Sequence, residues 1–208
     1  MSAGLQALTD WGPDVAFVAM HGADGEDGTI QGVLELLGLP YQGSAVASSA
    51  VAMHKARTKV VYRQAGLPVA RDWTLTGAGV SWSQVVEELG LPLVLKTGLS
   101  GSSVGVEVVQ DVSALEVRGE AMLGETDALV VEEWLDGREF TCAVLDDLDG
   151  SQAALPVVEI VPKDGGWFDY ETKYPPYPGV CKSLHTSFLS AFCTSLKGGV
   201  VAVQTQAC

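Results

Sequence analysis

Acidic residues stop at Glu171. All 26 Asp and Glu lie within the first 171 residues, and the rest of the chain is carried by Ser, Thr, Lys, Cys and apolar residues. Basic residues are scarce throughout, with 12 Lys and Arg and a net charge of −14. Such a chain would be repelled by a nucleic-acid backbone or an anionic membrane, so neither is expected as a partner. No apolar run approaches the roughly 20 residues that span a bilayer. The N-terminus Met1-Ser2-Ala3-Gly4 lacks a basic region followed by an apolar one, so no secretory signal is read and a cytoplasmic location is expected. The four cysteines, Cys142, Cys181, Cys193 and Cys208, form no Cys-x-x-Cys pair and have no His at zinc spacing, so they read as free thiols. Disorder is excluded by the composition, 47% hydrophobic and 18% charged. At 208 residues the chain suffices for one large or two small domains with a self-supporting core.

Between Asp72 and Pro162 the only cations are Lys96, Arg118 and Arg138. Lys96 closes the apolar run Leu93-Val94-Leu95 and precedes a loop made almost wholly of Gly and Ser, from Gly98 to Gly105. Small residues let backbone N–H groups converge on an anion, Ser100, Ser102 and Ser103 add hydroxyl donors, and the lysine supplies a point charge. Taken alone, the loop reads equally well as a phosphate cradle or as a flexible hairpin.

The first block is α/β in texture. Val15 to Met20 reads as a buried strand, and Ile30, Val33, Leu34 and Leu37 fall on one face of a helix closed by Gly38 and Pro40. Between them His21 to Thr29 forms a polar loop at the carboxyl end of the strand, where open α/β sheets bind ligands. Its spacing excludes an EF-hand, because no Glu closes a twelve-residue loop. A helix follows over Lys55 to Ala65, with Gly66 as its C′ residue. From Val69 the pattern becomes α+β. A helix is expected near Ser81 to Leu89 and another after Asp111; strands are expected at Leu93 to Lys96, Val104 to Val109, Ala128 to Glu133, Glu139 to Leu145 and Ala153 to Val161. The acidic turn Asp146 to Gly150 joins the last two as a hairpin. The domain division is 1–68 for an N-terminal α/β part with its linker helix, 69–145 for a small subdomain with the loop, and 146–208 for a C-terminal part with an atypical tail from about 180.

The stretch Glu132-Glu133-Trp134-Leu135-Asp136-Gly137-Arg138-Glu139 is strand, short linker and strand, with acids on both sides. Linker backbone can pair with an adenine edge, apolar side chains can sandwich the ring, and a later carboxylate can accept from ribose hydroxyls. The alternative is an acidic hairpin with a half-buried Trp.

Taken in order, these pieces resemble the ATP-grasp enzymes, and within them the D-alanine–D-alanine ligase family. The resemblance is carried by His21-Gly22, Gly25 to Gly32, Gly38 to Ser44, Ala65 to Val69, Gly101 to Gly105 and Asp169 to Tyr174, and it covers about Pro13 to Tyr174. It implies a partial ATP-grasp fold, part α/β and part α+β, and the joining of two D-alanines with ATP and Mg2+ (or Mn2+) through an acyl phosphate, for peptidoglycan precursors. Such catalysis consists of positioning and charge neutralisation.

By match, Lys55 and Lys96 would contact the nucleotide phosphates, Ser103 would belong to the phosphate loop, and Lys173 would reach the γ-phosphate. Glu132, Glu133, Trp134 and Leu135 would line the adenine site and Glu139 would bind the ribose. Ser102, Tyr174 and Glu26 would organise the first D-alanine, with His21 near the substrates. Read by themselves, His21 is also an ordinary loop histidine and Glu26 an acid at a helix N-terminus. A homodimer is what the family implies.

The chain departs from the family pattern in several places. His54 stands where an Asp is usual before the lysine, and Thr97-Gly98 replaces a Pro-containing step. An opening strand expected before Leu5 is missing, and after Tyr174 the Arg, Asp, Glu and Asn that would steady the phosphoryl group and two magnesium ions have no counterpart. The expectation is therefore a family member truncated at both ends and catalytically incomplete, with no metal ligand assignable. The alternatives are a nucleotide-binding fragment without catalysis, or a ligase accepting D-lactate or D-serine.

Overall fold

The computed structural model describes residues 3–101, 104–146, 149–161 and 181–183. Two compact units divide the chain, Met1–His54 and Lys55–Cys208.

In the first unit the described elements are three helices, α1 (Ala3–Trp11), α2 (Thr29–Leu36) and α3 (Val46–Ala52). α2 begins where Gly28 takes φ +94°, a conformation favouring glycine, and a Cβ there would stand 2.6 Å from the Val46 carbonyl oxygen. It ends with Leu37 as C-cap and Gly38 at φ +65°, in keeping with the expected stop. Leu34 and Gln31 are its buried residues, while Leu37, expected on the apolar face, is exposed. The expected strand Val15 to Met20 is reduced to a single parallel bridge, Ala16 to Tyr41. Beyond it the pairing passes to a side chain, since the Val18 N–H donates to Gln42 Oε1 and Gln42 Nε2 donates back to the Val18 carbonyl, both at 2.8 Å. With pairing on one side and no sheet around it among the described residues, the apolar run is not buried, and Phe17 is 82% exposed.

The second unit opens with α4 (Lys55–Gln64). Its end is a Schellman motif about Gly66, with the Leu67 N–H on the Tyr62 carbonyl and the Gly66 N–H on that of Arg63. Next come β1 (Asp72–Leu75), α5 (Trp82–Leu89), β2 (Leu93–Thr97), β3 (Val106–Val109), α6 (Val112–Leu123) and β4 (Leu129–Glu133). The four strands form one antiparallel sheet in the order β1-β4-β2-β3. β1 was not anticipated from sequence. It is four residues long and pairs on one side only, too short for a clear alternating pattern.

Side-chain alternation divides this sheet. Leu93 and Leu95 of β2 and Leu129 and Val131 of β4 join Trp82, Val85 and Leu89 of α5 and Leu115 and Met122 of α6 in one core. Asp111 caps α6 by accepting from the Ala114 N–H at 2.8 Å. The two helices meet at Gly119, which sits under the Trp82 ring where any Cβ would overlap it. Trp82 Nε1 donates to Glu120 Oε1 at 2.9 Å, so the buried indole keeps a polar partner.

Beyond β4 the strands are shorter than expected. β5 (Glu139–Thr141) and β6 (Val144–Asp146) replace one strand, and β7 (Gln152–Ala154) and β8 (Val158–Ile160) replace another. Pro156, with no N–H to give a ladder, stands between β7 and β8. Each piece then takes its own partner, β6 with β7 as the expected hairpin, and β5 with β8, which also pairs with β9 (Cys181–Ser183).

Candidate functional site

The face of the β1-β4-β2-β3 sheet opposite the helix-packed core carries the charge. Val94 and Lys96 of β2, Val130 and Glu132 of β4 and Asp72 of β1 share it by register: Val94 pairs with Glu132, Lys96 with Val130, and Asp72 with Glu132. Asp72 and Glu132 are therefore directly opposed like charges, an unfavourable cross-strand pair. The cation between them is Lys59 of α4. Its Nζ lies 2.7 Å from Glu132 Oε1 and 3.2 Å from Asp72 Oδ1, and donates to the Ala70 carbonyl at 3.0 Å. Glu132 Oε2 takes a short hydrogen bond from Lys96 Nζ, and Arg63 binds Asp72. Burial pushes the Glu132 carboxyl up, but Lys96 and Lys59 outweigh it and hold the carboxyl below its ordinary value.

The Gly/Ser loop begins one residue after β2 ends. The Gly98 N–H donates to the Ala128 carbonyl at 2.7 Å and the Thr97 N–H to that of Gly105 at 3.0 Å, so the two ends of the loop are pinned. Gly105 takes φ +66°, and a Cβ there would lie 2.5 Å from Thr97 Oγ1. Within the loop, the Ser100 hydroxyl accepts from Thr97 Oγ1 at 2.6 Å and from Lys55 Nζ at 3.1 Å, and donates to the Val104 carbonyl at 2.7 Å. That uses its full capacity of one donor and two acceptors. Lys55 Nζ also binds the Ser100 carbonyl, and its own N–H donates to the Gly98 carbonyl at 3.0 Å. The start of α4 is thus tied to the loop at two points.

Glu133 points the other way. Its carboxylate accepts from the Arg71 N–H at 2.8 Å and from Arg71 Nε at 2.7 Å, and these hydrogen bonds, the backbone one foremost, lower its pKa. Arg71 also donates to the Glu88 and Leu89 carbonyls, so Glu133 is engaged at the C-terminus of α5 and separated by the sheet from Lys96. The Trp134 N–H is spent on the Pro92 carbonyl at 3.2 Å. Leu135 is exposed, and Glu139 opens β5 opposite Ile160.

In the first unit, His21 is exposed, at the start of the polar loop. Glu26 Oε2 accepts from the Gly22 N–H at 2.7 Å, so this carboxylate closes its own loop rather than capping α2. Asp27 takes the helix-end role instead, accepting from the Thr29 N–H at 3.0 Å through one oxygen and from the Asp24 N–H at 3.0 Å through the other. Backbone donation from Asp24, the largest influence, lowers its pKa. Ser102, Ser103, Lys173 and Tyr174 lie outside the described residues.

The structure brings together Lys55 with the loop, and Lys96 with Glu132. Sequence reasoning missed Lys59 and Asp72. A signal was present in part, since Lys55 and Lys59 stand four apart and share one helix face. Asp72 needed β1, which the sequence does not announce. Among the described residues no group of three or more His, Cys, Asp or Glu side chains converges to hold a metal ion, and no helix is long and apolar enough to cross a membrane.

Residues 61–188 match the family model described as D-ala D-ala ligase C-terminus, and residues 6–44 that described as D-ala D-ala ligase N-terminus. A D-alanine--D-alanine ligase of Desulfotalea psychrophila is 49% identical over 169 residues, covering 78% of this chain and 51% of that protein. One from Chromohalobacter salexigens is 43% identical over 173 residues, covering 82% and 52%. The solved D-alanine--D-alanine ligase of Bacillus anthracis superposes with a TM-score of 0.70 at 31% identity, over 92% of this chain and 62% of that one. A structure of the Bacillus anthracis ligase complexed with ATP gives 0.64 at 33% identity, over 76% and 53%. The chain spans about half the length of the curated relatives it matches. The fold class is ATP-grasp, mixed α/β and α+β, as the resemblance implied. With both family models matched in order, and an ATP-grasp sheet carrying Lys96 and Glu132, the chain belongs to the D-alanine–D-alanine ligase family.

Proposed function

We propose that this chain handles the nucleotide in an ATP-dependent ligase that joins two D-alanines into D-alanyl-D-alanine. The observation carrying the reading is that two lysines from different elements, Lys55 and Lys96, flank one Gly/Ser loop whose ends are pinned and whose middle is cross-linked at Ser100. Preorganised cations and N–H groups suit a polyphosphate, because they need no rearrangement as charge moves during transfer.

Lys55 and Lys96 hold the phosphates, with Ser102 and Ser103 as loop donors and Lys173 toward the γ-phosphate. Glu132, Trp134 and Leu135 form the adenine side, to which Glu133 contributes only its backbone, and Glu139 forms the ribose side. His21, Glu26, Ser102 and Tyr174 serve the D-alanines. The chemistry supplied is activation: the γ-phosphoryl goes to a carboxylate oxygen of the first D-alanine, then the amine of the second displaces phosphate at the acyl carbon and loses a proton. Because the described residues offer no acidic cluster, no step is assigned through magnesium. The same reading makes the N-terminal part to about residue 68 the substrate side, 69–145 the small ATP-grasp subdomain and 146–208 part of the larger one, in a cytoplasmic protein that pairs as a homodimer.

Calorimetric titration with ATP, followed by coupled phosphate release with ATP, D-alanine and magnesium, tests this. ATP binding supports the nucleotide assignment, and phosphate release that depends on D-alanine supports the reaction. Failure to bind ATP would sink both, whereas binding without release would confine the chain to a nucleotide-binding role.

A further inference from the structure

Lys59 has no part in the roles assigned above, yet it is the most enclosed cation of the charged face. The residue is 8% exposed, and its Nζ is shared among Glu132 Oε1, Asp72 Oδ1 and the Ala70 carbonyl. Two of the ammonium's three donors are spent on Glu132 and Ala70, and the Asp72 carboxylate stands beside the third. Lys96 differs. Among the described residues its one ion-pair partner is Glu132, and its side chain keeps 29% exposure.

Ion pairs link Lys59, Arg63 and Lys96 with Asp72 and Glu132. Three cations face two carboxylates, a local surplus of one positive charge in a chain of net charge −14. Arg63 and Lys59 both serve Asp72, and Lys59 and Lys96 both serve Glu132. Without the charge of Lys59, Arg63 would be matched by Asp72 and Lys96 by Glu132, and the surplus would vanish.

We infer that Lys59 is a positioning residue for anion recognition: by taking one oxygen of Glu132 and separating it from Asp72, it leaves Lys96 charge free to meet a phosphate. The inference rests on the nucleotide reading above, with the phosphates of ATP as the anion. Lys59 itself touches no ligand. Its effect is selective, since it governs how well the site distinguishes a phosphorylated nucleotide from its neutral nucleoside.

Calorimetry with ATP and with adenosine separates the possibilities in the full 208-residue chain. Lys59→Met should weaken ATP binding on the order of tenfold while adenosine binding stays near its original value, and Lys59→Arg should recover most of the ATP affinity. Equal losses for both ligands, or no recovery by Lys59→Arg, would overturn the inference in favour of a purely structural role. If the unsubstituted protein binds neither ligand, the nucleotide reading itself has failed. Should Lys59→Met not fold, lysine side-chain NMR on the unsubstituted protein during ATP addition decides: the Lys96 signal should move and the Lys59 signal should hold, and a comparable movement of Lys59 would make it a ligand and sink the proposal.

Discussion

Glu132 and Glu133 are adjacent in sequence and serve opposite faces of one sheet. The first carboxylate is held by Lys59 and Lys96 on the charged face, the second by Arg71 at the end of α5. The alternation of a strand makes this unavoidable once β4 is central, because successive side chains leave on opposite sides. Their removal should have unequal consequences. Glu132→Ala leaves Lys59 and Lys96 without a shared carboxylate in a mostly buried place and should cost about 3–5 kcal/mol of folding stability. Glu133→Ala removes an exposed pair and should cost clearly less. Urea denaturation of the two variants side by side checks the ranking, which equal losses would contradict.

Acid should reveal the same carboxylate. A group whose pKa is depressed on folding contributes stability that is complete above its unfolded value and is lost as pH falls through its folded value. Glu132 is such a group, with an ordinary value of 4.5 and a folded value below it. The unfolding midpoint should therefore drop as pH falls below about 4.5, and Glu132→Gln should flatten that part of the curve. Midpoints measured from pH 6 to pH 3 (roughly the range over which the linkage acts) test it, and identical slopes would speak against this assignment.

Gly119 sets two local rules against each other. In a helix interior, Ala is favoured over Gly by about 1 kcal/mol. Here the Trp82 ring occupies the space a Cβ needs, and a tightly packed core resists an added carbon by about 1–3 kcal/mol. Packing should prevail, so Gly119→Ala should lower the thermal midpoint. A raised midpoint would show that α5 and α6 can part at little cost.

Ser100 is the joint of the Gly/Ser loop. Ser100→Ala deletes the hydroxyl contacts to Lys55, Thr97 and Val104 together, leaving the Thr97 hydroxyl without its acceptor. Hydrogen exchange of the amides at Val104 and Gly105 should speed up while that of Leu93 and Leu95, in the core, stays slow. Unchanged exchange in the loop would mean that its pinned ends suffice.

Much of this was legible in the chain itself. The extent of α4 with Gly66 beyond it, the Asp111 cap, the apolar runs of β2 and β4 and the hairpin of β6 with β7 are local matters, fixed by capping, turn chemistry and composition over a few residues. Lys96 and its Gly/Ser loop stood out by scarcity, since cations are few in that part of the chain.

Where local signals were equivocal, the folded arrangement decided. Val15 to Met20 has a strand's composition, yet a run of apolar residues becomes a buried strand only when neighbours pair with it, and one bridge to Tyr41 does not bury Phe17. Lys59 resembles any helix lysine until β1 and β4 bring Asp72 and Glu132 to face each other, at which point a cation between them becomes a requirement. Sequence by itself determined which residues could bind an anion, because residue type and spacing are local. Only tertiary structure determined which carboxylate each lysine answers to, because ion pairing depends on distances set by strand register across segments far apart in the chain.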